Sequence, residues 1–162
     1  MKSELLIQFE HTWKMFYKMV DDFDDKSWLK IGSGYITPAR ISCHILSGVK
    51  YYIEDHTNVV FNSGNIFDGN WEKCEERELP NRIDIEKCIH EFKKKIEKWI
   101  NDMKLEDENK AFAWTGKMKM SVVLFLLRHM EYHIGEINLL LHISKNGDAN
   151  DNWIMGFENM DI

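Results

Sequence analysis

The sequence predicts an all-α fold, a four-helix bundle in a single domain spanning 1–162. Three observations lead there. Four stretches repeat apolar residues every three or four positions. The chain is 44% hydrophobic and 12% aromatic with only two prolines, the composition of a packed globule and not of a disordered chain. No internal repeat, low-complexity tract or second-domain linker divides it. A chain of 162 residues suffices for one core that buries about 70% of the unfolded surface.

The first helix is expected from about Ser3 to Phe23, on the spacing of Leu5, Phe9, Trp13, Phe16, Val20 and Phe23. The second opens at "TPAR", where Thr37 can cap and Pro38 suits the first helical position, and continues through "ISCHILSGVKYYIEDH". About two dozen residues, Thr57 to Arg82, then form a connection long enough to cross the bundle. The third helix, about Ile83 to Met103, aligns Ile85, Cys88, Phe92, Ile96, Trp99 and Met103. The segment "AFAWTGKMK" is apolar enough to pack before a fourth helix from about Ser121 to Ile143, which ends at "KNG". "NWIMGF" near the carboxy terminus is expected to cover one mouth of the bundle.

Charge and cysteines narrow the function classes. The formal net charge is −6 and no basic run is interleaved with aromatics, which argues against a nucleic-acid partner. No uncharged apolar run approaches the ~18 residues of a membrane span, and "MKSELLIQFEH" does not read as a signal peptide. Cys43, Cys74 and Cys88 are odd in number and lack CxxC spacing, so a reduced, cytoplasmic protein is expected. Cys43 adjoins His44 but points about 100° away from it, and reads as packing.

The seven histidines sort by helical angle. His11 and His90 lie opposite the apolar stripes of their helices, and His142 falls outside its seam. In "RHMEYHIGEINLLLH", Leu126, His129, His133, Ile137 and Leu140 share one seam, so both central imidazoles point inward. Two imidazoles one turn apart, with Cβ atoms ~5–6 Å from each other, can chelate one metal ion. The same spacing suits a hydrogen-bonded core pair or two polar residues at a cavity mouth. On the second helix, His44 sits at one border of a wide apolar arc and His56 near the other, and angle alone does not choose between them. Gly48, one turn beyond His44, removes bulk there and would leave the open space an exchangeable ligand needs.

"LLRHMEYHIGEINLLL" resembles the last-helix signature of the DinB-like (YfiT-like) metalloenzyme family, H-x3-H-x-G-[QE] set among leucines, and "TPARISCHILSG" is similar to its second-helix segment. "WEKCEERELP" and "AFAWTG" resemble weaker patterns of the same family. This chain departs from the family with Ile134 and Glu136, where Arg and Gln are frequent. The resemblance implies an up-down-down-up bundle and a divalent metal, zinc or nickel, held by His44, His129 and His133 with water completing the shell. It also implies a small-molecule substrate, with a low-molecular-weight thiol joined to an electrophile as the transferase reaction of some members, and a homodimer.

The alternatives are a metal-dependent hydrolase and a non-enzymatic metal-binding or stress protein. A zinc-protease HExxH reading fails, because Glu131 lies about 200° around the helix from His129. Glu136 is the candidate catalytic residue: one turn past His133 and about 60° off its direction, it is placed to orient that ring, accept a proton or approach the metal. A glutamate solvated beside a bundle seam has the same spacing.

Overall fold

The computed structural model describes residues 1–54 and 70–150. Among them are five α-helices, α1 (Lys2–Asp22), α2 (Asp25–Lys30), α3 (Pro38–Ile53), α4 (Arg82–Asp102) and α5 (Lys119–Ser144). Two short 3-10 turns, Glu76–Glu78 and Ala113–Thr115, lie in the connections. The described residues contain isolated bridges at Ser33–Ile36 and Glu108–Met118 but no strand. His56 and the "NWIMGF" segment lie outside the described residues.

The four long helices are the four that periodicity predicts. In α1, Leu5, Phe9, Trp13, Phe16 and Val20 are buried on one stripe, joined by Met15 and Met19. The helix stops where Phe23 turns extended, and Asp24 starts α2 by accepting from the backbone N–H groups of Lys26 at 3.0 Å and Ser27 at 2.9 Å. Six residues are too few for a periodic signal, which is why α2 is not visible in the hydrophobic pattern. Its one buried side chain, Trp28, packs edge-on to Phe23 and donates from Nε1 to the Pro80 carbonyl at 3.0 Å.

Pro38 begins α3 as expected, and Thr37 stands in the capping position. Its hydroxyl makes no cap bond, however: buried, it has no hydrogen-bond partner among the described residues, and only its carbonyl joins the helix, accepting from Ile41 N–H at 2.9 Å. In α4 the buried seam is Ile85, Ile89, Phe92, Ile96 and Ile100. Cys88, Trp99 and Met103, expected in that seam, are only partly buried at its flank. The α5 helix ends as "KNG" suggests: Asn146 and Gly147 take positive φ (54° and 85°), and Gly147 N–H reaches back to the His142 carbonyl at 2.8 Å.

Each long helix packs on two others: α1 on α4 and α5, and α3 on α4 and α5. Lys2 Nζ donates to the Asn101 carbonyl at 2.7 Å and Arg82 Nη1 to the Asp21 carbonyl at 2.9 Å, so α1 and α4 run antiparallel. Phe16, Ile45, Val49, Ile85, Leu126 and Ile137 meet in the common core with no solvent exposure. Each such side chain contributes about 1.5–3 kcal/mol relative to remaining in water. No described helix is long and apolar enough to cross a membrane.

The approach to α5 is organised by buried Asn109, which accepts from Phe112 N–H at 3.0 Å and donates to the carbonyls of Phe112 (2.7 Å) and Gly116 (2.8 Å). Phe112 thereby enters the core against Tyr52, while Trp114 of the same apolar segment faces solvent. Replacing Asn109 with Asp keeps the shape but turns an acceptor oxygen toward two carbonyls. Urea denaturation of Asn109→Asp is expected to show a loss of about 1–3 kcal/mol; unchanged stability would remove this residue from the account of the turn.

Candidate metal centre

Three half-buried imidazoles from two helices meet where α3 packs on α5. His44 projects from α3, and His129 and His133 from successive turns of α5. His44 Nε2 lies 3.0 Å from His133 Nε2 and 3.0 Å from His129 Nε2. All three ligand atoms fall within 4.8 Å of one another, and the group could hold a metal ion. At zinc–nitrogen distances of 2.0–2.1 Å and near-tetrahedral angles, ligand nitrogens stand about 3.3 Å apart. The two His44 contacts lie a few tenths of an ångström inside that spacing, and the set as a whole is bounded at 4.8 Å.

Antiparallel packing of α3 on α5 produces this convergence. His44 faces His133, Gly48 faces His129, and Tyr52 meets Phe125 at 5.5 Å between ring centroids, a one-turn ladder along both helices. Gly48 is required for the close approach. A Cβ there would sit 2.9 Å from His129 Cε1 and 3.3 Å from its Nδ1. The space beside Gly48 is therefore not open for a ligand, as the sequence suggested; the His129 ring fills it.

Proton counting shows why these rings suit a cation. Burial first, then repulsion from the charged forms of neighbouring imidazoles, lowers the His44 pKa to about 4 and that of His129 to about 3, so both are neutral at pH 7. His133 Nδ1 contacts Glu136 Oε2 at 2.7 Å. A carboxylate only accepts, so His133 carries its proton on Nδ1 and, when neutral, presents a bare Nε2 to His44. His44 Nε2 has one in-plane direction for a proton or lone pair, yet meets two nitrogens. Protons alone therefore give His44 Nε2 at most one linear hydrogen bond, with the second contact a weaker bifurcated branch, donor-on-donor, or lone pair on lone pair. A cation at the centre would accept all three lone pairs. His129 Nδ1, pressed toward Gly48, is buried with no hydrogen-bond partner among the described residues.

Each imidazole has its own aromatic neighbour. Phe125 lies nearly parallel to His129 (interplanar angle 9°, centroids 6.4 Å), Tyr132 stands edge-on to His133 at 4.9 Å, and Trp71 tilts against His44 at 5.3 Å. Trp71 comes from the connection before α4, where buried Arg40 holds it: the guanidinium donates to the Trp71 carbonyl and, at 2.7 Å, to that of Cys74.

His44, His129 and His133 are brought together, with Glu136 against the far nitrogen of His133 instead of free in solvent. Glu131 is turned toward α1, where Thr12 Oγ1 donates to it, in line with rejection of a protease-type site. His11, His90 and His142 do not join the cluster, and His90 instead meets Tyr17 on the α1–α4 side. Cys43 is buried in the core with its thiol pKa pushed up by that burial, and all three cysteines are free. Sequence reasoning missed Arg40, Phe125, Tyr132 and the part played by Trp71. Phe125 and Arg40 each precede a cluster histidine by four residues, so an arginine inside the apolar arc of α3 was a readable signal. A separate cleft of about 530 Å³ lies where α3 and α4 end, lined by Ile53, Trp99, Met103 and Phe112; none of the three histidines borders it.

Comparison of the chain with family models, with curated proteins and with solved structures returned no match.

Gly48→Ala should leave helix content intact, since alanine is the better helix former, yet push the His129 ring away and lower metal affinity at least about tenfold by calorimetry. For pH, the folded pKa values of about 4 and about 3 lie below the ordinary histidine value of 6.5. Below 6.5 the unfolded chain takes up protons that the folded chain does not. The associated stability is thus complete above 6.5 and is lost as pH falls toward 4 and 3. Metal-free protein should melt at a lower temperature at pH 5 than at pH 7.5, a decline that His129→Leu reduces.

Proposed function

We propose that this protein is a divalent-metal-dependent enzyme of the DinB-like (YfiT-like) type, with His44, His129 and His133 holding the ion. One observation carries the reading: three ring nitrogens converge, His44 Nε2 lying 3.0 Å from each of the other two, where one cation would take all three lone pairs. Zinc and nickel are the first candidates, although an all-imidazole set also suits copper and iron. An up-down-down-up bundle belongs to the same reading. The antiparallel pairings of α1 with α4 and of α3 with α5, and the long connection from α3 to α4, support it. So does a homodimer in the cytoplasm, for which the three free thiols suit a reducing compartment.

The reaction proposed is transfer of a low-molecular-weight thiol to an electrophilic small molecule. When bound, a divalent ion with open positions supplies a Lewis acid that lowers the pKa of a thiol. The chain contributes the rest. The two helices hold the imidazoles on a common centre, Gly48 admits the His129 ring, and Glu136 Oε2 keeps the His133 proton on Nδ1 so that Nε2 is free. That contact favours orientation of His133 as the task of Glu136. Phe125 and Trp71 stand beside the His129 and His44 rings as apolar neighbours.

Metal analysis of untagged protein tests the centre: wild type should retain about one ion per chain, with His44→Ala and His129→Ala losing it. Equal content in all three would exclude both rings as ligands. With the metal bound, thiol should be consumed in the presence of an activated aryl halide. Product release without thiol would replace transfer by hydrolysis. A chelator-induced drop in melting temperature without any turnover would leave a structural metal.

A further inference from the structure

We propose that Trp71 is the wall that controls exchange at the centre on its His44 side, and that Arg40 is the residue that positions it. The inference rests on the metal reading above and concerns residues outside the ligand set.

Arg40 precedes His44 by one helical turn on α3, so the two side chains leave the helix in nearly the same direction. A guanidinium is rarely buried without a carboxylate, because its desolvation is expensive. Arg40 is only 9% exposed, and among the described residues its hydrogen bonds go to main-chain oxygens, those of Trp71 and Cys74. These two carbonyls belong to one tight turn, in which Lys73 N–H and Cys74 N–H both return to the Asn70 carbonyl, at 3.0 and 2.8 Å, and Glu72 N–H reaches Asn70 Oδ1 at 2.9 Å. The fork of Arg40 spans the turn and fixes its orientation over α3. The turn carries the Trp71 indole, which lies 5.3 Å from the His44 ring, tilted by 57°.

The consequence follows from where the other walls come from. Phe125 and Tyr132 belong to α5, the helix that carries His129 and His133, and that helix fixes their backbone relative to both ligands. Trp71 lies in a turn, outside every helix of the described residues. A planar donor able to grip two carbonyls at once meets that need, and lysine, a single point donor, does not. Removing the indole would open the His44 side to water and to competing ligands, and removing Arg40 would do the same by freeing the turn.

The test is a double-mutant cycle on zinc-loaded protein, reading the rate at which a chelator strips the metal. Trp71→Ala and Arg40→Met are each expected to speed dissociation about tenfold, and the double variant no more than either alone, because Arg40 acts through Trp71. Trp71→Phe should stay within about twofold of wild type, since a ring remains. Arg40→Lys should fall on the fast side, lacking the fork. A second readout separates positioning from general loss of stability. The ring-current shift that the indole imposes on the His44 ring protons should vanish in Arg40→Met as fully as in Trp71→Ala, with helical circular dichroism unchanged. Additive rates, or an Arg40→Met protein that keeps the shift, would overturn the positioning role. A wild type that binds zinc but whose dissociation ignores Trp71→Ala would overturn the wall alone. A wild type that takes up no metal would overturn the underlying metal reading together with the wall.

Discussion

The close approach of α3 and α5 at Gly48 is the constraint on which the centre depends. With only a hydrogen at that position, the His129 ring lies against the α3 backbone, its Cε1 where a Cβ would come within 2.9 Å. That contact sets the register between the two helices, so His44 falls opposite His133 one turn away and Tyr52 opposite Phe125 one turn the other way. The helical repeat is the same on both partners, and one pinned contact therefore aligns the neighbouring turns. The register is further held by apolar surfaces on either side, with Val49, Ile45 and Leu126 fully buried.

Such a core is expensive to maintain with polar groups in it. Imidazole burial holds two of the rings neutral far below their ordinary pKa, and protons give His44 Nε2 no more than one linear hydrogen bond to its two nitrogen neighbours. Leucines at the same positions would pack without this penalty. A cluster with so clear a local cost is best explained by what it can bind, and the helical bundle supplies the rigidity that a ligand set needs. Glu136 and Arg40 support the cluster in different ways. Glu136 acts on a ring nitrogen from the same helix, whereas Arg40 acts on the chain that lies over the ring.

Much of this was legible in the order of residues. The stripes of α1, α3, α4 and α5 follow from the helical repeat of apolar side chains, because burying one face of a helix requires that repeat and little else. The inward direction of His129 and His133 is equally a property of one helix, since both share a seam with Leu126, Ile137 and Leu140. Two details at helix edges went otherwise. Periodicity placed Cys88 and Trp99 in the α4 seam, where the structure buries Ile89 and Ile100 beside Ile85, Phe92 and Ile96, because α4 packs against both α1 and α3 and the arc between them decides which flank is covered. The short α2 rests on the Asp24 cap and on Trp28 reaching Pro80, a contact across 52 positions in the chain.

By itself, then, the sequence determined the helical class, the four long helices and the direction of two imidazoles, all consequences of local geometry within a single segment. Only the tertiary structure decided that His44 completes the set, that Gly48 makes room for a ring and not for a ligand, and that Trp71 stands beside His44 under the grip of Arg40. The reason is physical. A residue's direction on its own helix follows from 3.6 residues per turn, but the partner it meets depends on how two helices settle against each other, and that depends on every side chain between them.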